Sequence, residues 1–163
     1  AHKRGWDDRW KEFSDWAEKG QDVMERLLKL VDEDTAAFAR IMDVFSMPKG
    51  TDEEKAARAE AMETATLYAT QVPLRTMQTA LEALPIALEM ARTGNPAAAS
   101  DAGVGAIAAL AAVRGAHLNV RINAAGLQDR DLAGKIVAEA GAIAGKAAEL
   151  ESEVLSEVDK HIG

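Results

Sequence analysis

The chain has 163 residues with a formal net charge of −8, and 48% of its residues are hydrophobic but only 4% aromatic. That length makes one domain with a core of its own, and the acidic balance excludes general nucleic-acid binding, which needs a basic face for phosphates. The absence of cysteine excludes disulfides, thiolate metal sites and a cysteine nucleophile, and the three histidines at 2, 117 and 161 lack the spacing of a zinc centre.

Alanine and other strong helix formers dominate, and β-branched residues are scarce, so helices are expected throughout. Trp6, Trp10, Phe13, Ala17, Met24, Leu27 and Val31 recur at three- and four-residue steps, which predicts a first helix over 6–31 buried along that face. The acidic run "DEDTAAF" suits the start of a second helix ending near Phe45. Proline and glycine in "SMPKGTDEEK" break the chain, and Thr51 or Asp52 caps a third helix that runs to about Gln71. Pro73 ends or kinks it, because proline has no amide hydrogen to donate and clashes with the preceding turn.

A fourth helix is expected over 74–93 with a bend at Pro85, closed by Gly94 and the turn "TGNP". The fifth carries "SDAGVGAIAALAAVRGAHLNVRIN" and ends near Gly126. Asp129 caps a sixth, in which Ile136, Ile143 and Leu150 alternate with Ala140, Ala147 and Val154 as a heptad seam. The expected fold is an all-α, elongated bundle of about six helices in a single domain. The apolar run 102–113 is shorter than the roughly 20 residues of a membrane span, so no span is expected. No leader segment is visible either, which reads as a cytoplasmic protein.

In the fifth helix, steps of four connect Ala99, Gly103, Ile107, Ala111, Gly115, Asn119 and Asn123. Glycine inside a helix costs up to about 1 kcal/mol relative to alanine, so Gly103, Gly105 and Gly115 need compensation. Close helix packing supplies it, and so does room for a ligand against the backbone. The residues alone leave both open.

"VPLR" at 72–75, "GNPAAASDAGVGAIAA" at 94–109 and "GAHLNVRIN" at 115–123, with "VDEDTAAF" and "MPKGTDEEKAAR" in the same order, resemble the cyclodeaminase domain of formimidoyltransferase-cyclodeaminases. Single-domain methenyltetrahydrofolate cyclohydrolases are related to it. The resemblance covers essentially the whole chain. It implies an all-helical, dimeric folate enzyme that converts 5-formimidoyltetrahydrofolate to 5,10-methenyltetrahydrofolate and ammonia, in histidine breakdown and one-carbon metabolism. Hydrolysis of the methenyl bridge is the alternative within that class, and a non-enzymatic helical oligomerisation module held by the 136–154 seam is the alternative outside it. Family members begin with a "PGGGS" segment and a small-residue helix that this sequence lacks, so a domain truncated at its N-terminus is expected. The transferase domain that precedes it in the bifunctional enzyme is a possible fused partner.

Ring closure requires the aniline nitrogen to attack the amidine carbon and lose its proton while ammonia leaves after gaining one. Positioned carboxyl groups serve such transfers, so no cofactor beyond the tetrahydrofolate substrate and no metal is expected. A carboxylate also stabilises the cation that forms. Asp101, at a helix start beside glycines, is the first catalytic candidate, and Asp34 and Asp32 follow from their place in a matched motif. Asn119, Asn123 and Gly103 are the candidates for binding the folate, while Lys3, Arg4 and Arg75 are those for the anionic tail of a polyglutamylated substrate. His117 reads as packing first and proton shuttle second, and Arg121 as a solvated cation.

Overall fold

The computed structural model describes residues 7–162. Among them are four long helices, α1 (Trp10–Phe45), α2 (Asp52–Thr93), α3 (Ala99–Ala124) and α4 (Arg130–Ile162), with single 3₁₀ turns at Asp7–Arg9 and Pro96–Ala98 and no strand. The fold is all-α as expected, but four helices replace the expected six. α2 is the central helix and packs on each of the other three, whereas α1 rests on α2. The core lies between α2, α3 and α4, where Met77, Leu84, Val113, Val120 and Val154 are fully buried among Ala80, Ala106, Ala140 and Ala147. A smaller cluster of Leu30, Ala37 and Val72 fastens α1.

The breaks that do occur are the ones with local chemistry to make them. Thr51 closes a capping box: its hydroxyl accepts from the Glu54 amide at 3.2 Å while the Glu54 carboxylate accepts from the Thr51 amide at 3.1 Å. Asp129 caps α4 by accepting from the Leu132 amide at 2.9 Å. Gly94 closes α2 with its amide on Met90 O at 2.9 Å, and a Cβ there would lie 2.3 Å from that oxygen.

The two expected breaks at 32–34 and 73 are absent. α1 runs straight through "DEDTAAF" because Val23, Leu30, Ala37 and Val44 continue one buried heptad seam across it. That seam also displaces the predicted face: Trp10, Met24 and Val31 are exposed, and Phe13 and Leu27 are only partly buried. Since α1 has one neighbour, it buries a narrow line and leaves Met24, Leu28, Val31, Phe38, Met42 and Phe45 as a second apolar stripe facing outward. α2 continues through Pro73 because the ring is buried in the core and a side chain from α3 bonds the carbonyl that the ring leaves without a donor. Asn123 Nδ2 donates to Ala69 O at 2.7 Å.

The heptad seam of α4 is real and already occupied. Ile136, Ala140, Ala147 and Val154 are buried against the chain's own α2 and α3, with Ile143 and Leu150 partly so. An oligomerisation module built on that seam therefore loses its contact surface. α3 is long and apolar enough by length and composition to cross a membrane, with a mean hydropathy of 1.5 in its most apolar window. Of that window 33% is buried in the bundle, Leu110, Val113 and Val120 within the helix being core residues, while Val104, Ile107, Leu118 and Ile122 are exposed.

The four-step line along α3 does not form one face. Each step of four residues advances about 40° beyond a full turn, so Ala99 and Gly103 are buried while Ile107, Ala111, Gly115 and Asn119 are exposed. Gly103 meets Val158 and Leu155 of α4, and a Cβ on it would sit 3.5 Å from Val158 Cγ2, an ordinary contact. Packing inside the chain thus tolerates a methyl group there. Gly103→Ala is expected to raise stability by up to about 1 kcal/mol through helix propensity, which thermal or urea unfolding measures; a loss of more than that amount would place an unseen constraint at this glycine.

Candidate functional site

The structure separates the predicted site residues into two places. Near the C-terminal end of α3, an open groove of about 440 Å³ is lined by Asp34, Phe38 and Ile41 of α1, Met62 and Thr66 of α2, and Asn119, Ile122 and Asn123 of α3. It exists because α1 leans on α2 alone, which leaves a trough between α1 and α3 floored by α2. Asp34 and Asn119 make no ion pair or side-chain hydrogen bond among the described residues, so their polar atoms are available to a ligand. Asn123 is partly committed through its bond to Ala69 O. Exposed Phe38 and Ile122 give the groove apolar walls suited to a flat ring.

Asp101 lies elsewhere. It is exposed in the first turn of α3 and lines a second groove of about 430 Å³ with Ile86, Met90, Asn95, Ala98 and Gly105. It does not cap the helix: the N-terminal position of α3 is Ala98, which makes no side-chain cap bond, and Asn95 caps only the short Pro96–Ala98 turn, accepting from the Ala97 amide at 3.2 Å. Among the described residues the carboxylate is therefore unpaired, in an apolar surrounding near a helix N-terminus, an electropositive end that favours the anion. Gly105 has nothing within 4 Å of a built Cβ, so its small size keeps that groove open.

The other candidates are placed as follows. Asp32 is exposed, two residues and so roughly 200° around α1 from Asp34, and it lines neither groove. Arg75 is engaged across α1 and α2, its Nη2 donating to Glu33 Oε2 at 2.5 Å, so it is not a free cation for a substrate tail. A similar pair joins Arg26 to Glu82, where the guanidinium holds the carboxyl below its usual range by hydrogen bonding. Gly103 is buried beneath α4 and reaches neither groove. His117 is half-buried and has no hydrogen-bond or ion-pair partner among the described residues, and Arg121 is exposed. Lys3 and Arg4 lie outside the described residues. Among the described residues no three His, Cys, Asp or Glu side chains gather as a metal site would require.

Sequence reasoning missed the groove walls. Phe38 belongs to an outward heptad stripe that resembles a core stripe in the sequence, and Met62 and Thr66 carry no motif. The signal that would have found them is the doubled periodicity of α1, a seam at 23, 30, 37 and 44 beside another at 24, 31, 38 and 45.

On α3 the two places are linked by one face. Asp101, Val104, Ala108, Ala111, Gly115, Leu118 and Ile122 follow alternating steps of three and four, and all are exposed. Val104, Ile107, Leu118 and Ile122 are 52–71% exposed, a continuous apolar stripe with Asp101 at one end and the Asn119–Asn123 groove at the other. The helical rise places Asp101 and Asn123 roughly 33 Å apart.

The family model of formiminotransferase-cyclodeaminase matches residues 1–142. The chain is 40% identical over 133 residues to the methenyltetrahydrofolate cyclohydrolase of Methylorubrum extorquens, a match that covers 77% of this chain and 64% of that protein. It is 38% identical over 104 residues to the formimidoyltransferase-cyclodeaminase of Mus musculus, covering 64% of this chain and 19% of that much longer protein. The chain thus spans less than two thirds of the length of these relatives. Its fold superposes with a TM-score of 0.83 on the formiminotetrahydrofolate cyclodeaminase of Thermotoga maritima, over 99% of this chain and 76% of that one at 20% identity, a likeness of fold. On the family match over residues 1–142, this all-helical chain belongs to the formiminotransferase-cyclodeaminase family.

Proposed function

We propose that the protein acts on folate-bound one-carbon units, at a site that two copies of the chain build together. The observation that carries this reading is the outward face of α3. Asp101 and Asn123 are too far apart in one copy to serve one reacting centre, since a proton-transfer group must stand within hydrogen-bond reach of it. The apolar stripe between them is symmetric about residues 112–113. Antiparallel pairing with a second copy sets Val104 beside the partner's Ile122, and Ile107 beside the partner's Leu118. The small residues Ala108, Ala111, Ala112 and Gly115 at the centre allow the two helices to approach closely. This self-complementary contact closes as a twofold dimer, and it carries the partner's Asp101 toward the groove of Asp34, Asn119 and Asn123.

In such a site the apolar walls take a flat pterin, Asp34 and the asparagines meet its donors, and the partner's Asp101 works at the bridge carbon. A carboxylate there accepts the proton from the attacking aniline nitrogen, and its charge stabilises the amidinium-like cation as it forms. The first reading is ring closure of 5-formimidoyltetrahydrofolate with loss of ammonia. Hydrolysis of the methenyl bridge uses the same group: the carboxylate accepts a proton from water attacking the same carbon, and one bridge nitrogen takes a proton as its bond to that carbon breaks, leaving a formyltetrahydrofolate and one released proton. The 40% identity to the Methylorubrum extorquens cyclohydrolase favours that second reading. Neither step calls for a metal or an organic cofactor.

Absorbance of the methenyl chromophore separates the two, appearing from the formimidoyl substrate with ammonia release and disappearing when the methenyl compound is hydrolysed. Activity is expected to survive a chelator. The shared site is tested by mixing two inactive variants, Asp34→Asn and Asp101→Asn. A hybrid dimer holds one site with neither substitution, so random exchange should restore about a quarter of the wild-type sites. No recovery from a mixture verified to contain hybrid dimers would overturn the shared site.

A further inference from the structure

Pro73 stands in the middle of α2, buried and without disturbing the helix. Having no amide hydrogen, it leaves the carbonyl of Ala69, four residues earlier, without its helical donor. A buried carbonyl in that state is unfavourable until something donates to it. Asn123, 54 residues away on α3, supplies the donor at 2.7 Å. Pro85, further along the same helix, is exposed, and among the described residues no side chain takes the corresponding role at Leu81.

The bond at Ala69 does more than repair the helix. A carbonyl only accepts, so the end of the Asn123 amide that faces it must be the NH₂ group, and the orientation of the amide is thereby decided. Its Oδ1 is left as a fixed acceptor, with no protein donor among the described residues. Asn123 also lines the groove with Asp34 and Asn119. An amide that is free to turn presents either end, whereas one held through one N–H keeps its oxygen in place as an acceptor, with its second N–H the only donor left. Together with the Asp34 carboxylate, whose oxygens accept, the groove then offers acceptors from two side chains to whatever enters it.

We infer that Pro73 is a positioning residue: by freeing the Ala69 carbonyl it locks the Asn123 amide so that its oxygen receives an N–H edge of the ligand. The class recognised is a flat heterocycle with adjacent N–H donors. The inference rests on the reading of this groove as a folate site. It also accounts for a proline in the interior of the central helix, where helix stability by itself favours almost any other residue.

The full-length protein tests it with 5-formyltetrahydrofolate as a stable folate probe, and with NMR of the Asn123 side-chain amide as a readout independent of any ligand. In the wild type one NH₂ proton is hydrogen-bonded, shifted and protected from exchange. Pro73→Ala provides an amide at 73 that competes for Ala69 O. The Asn123 signature should disappear and the folate Kd should rise roughly tenfold, with no fall in melting temperature. Asn123→Asp sets a carboxylate against the unpaired carbonyl and should lower the melting temperature by roughly 5 °C; adding Pro73→Ala should restore it. Persistence of the signature in Pro73→Ala overturns the relay, and an unchanged Kd after its loss overturns the positioning role. Failure of the wild type to bind the folate, with signature and rescue intact, overturns instead the folate reading of the groove and the ligand role that rests on it.

Discussion

Asp101→Asn is expected to lower turnover by roughly two to three orders of magnitude while leaving the protein folded. Its effect on stability is bounded by what Asp101 does in the folded chain. The side chain is exposed, caps nothing and pairs with nothing among the described residues. Only its interaction with the positive end of α3 is lost, about 0.3–1 kcal/mol. The chemical consequence is larger. Asparagine is nearly the same size but neither accepts a proton at neutral pH nor carries the charge that opposes a developing cation, and removal of one such stabilising group costs on the order of 3–4 kcal/mol in the transition state. Steady-state kinetics on the methenyl chromophore beside a melting curve decides between the two. Near-normal kcat in a stable Asp101→Asn protein would remove Asp101 from the chemistry, and a large drop in melting temperature would make its role structural.

Ala111→Glu is expected to convert the proposed dimer to monomer and to abolish turnover with it. Ala111 is exposed near the middle of the α3 face, where the proposed twofold axis brings it close to its own counterpart. In a free chain the substitution is mild: glutamate is a good helix former, costing a few tenths of a kcal/mol against alanine. Across a close helix pair it forces two long charged side chains into a contact that small residues keep tight, with the exposed Arg114 of each copy as the nearest cation. Overpacking and desolvation then amount to about 3 kcal/mol, enough to raise a dimer dissociation constant by about two decades. Sedimentation velocity over a concentration series, paired with the turnover assay, reads both effects. An Ala111→Glu protein that stays dimeric and active would move the contact to another surface, of which the outward stripe of α1, from Met24 to Phe45, is the remaining apolar one.

The helix termini were legible in the sequence because the groups that make them are neighbours in the chain. Thr51 and Glu54 satisfy one another's amides within one turn, Asp129 caps Leu132, and Gly94 stands where a Cβ would strike Met90 O. Such contacts carry their own geometry wherever the chain goes, and the helical character of the whole chain followed in the same way from alanine, leucine and glutamate. Of the candidate site residues, Asp34, Asn119, Asn123 and Asp101 line one or other of the two grooves, whereas Asp32, Gly103 and Arg75 line neither.

Tertiary structure decided what those residues were next to. The number of helices turned on Pro73, whose local chemistry favours a break, and on an Asn123 amide 54 residues away that makes the break unnecessary. Which glycine faces a neighbour was equally non-local: a Cβ on Gly103 would meet Val158 and Leu155 near the other end of the chain, while one on Gly115 would meet open space. Arg75 was indistinguishable from a free cation until Glu33 was placed against it. Above all, Asp101 and Asn123 share a helix and a face yet cannot share a reacting centre, because an α-helix rises about 1.5 Å per residue and twenty-two residues of rigid rod cannot fold back on themselves. Spacing along a chain determines which face a side chain occupies; only the packing of helices, within a copy and between copies, determines which faces meet.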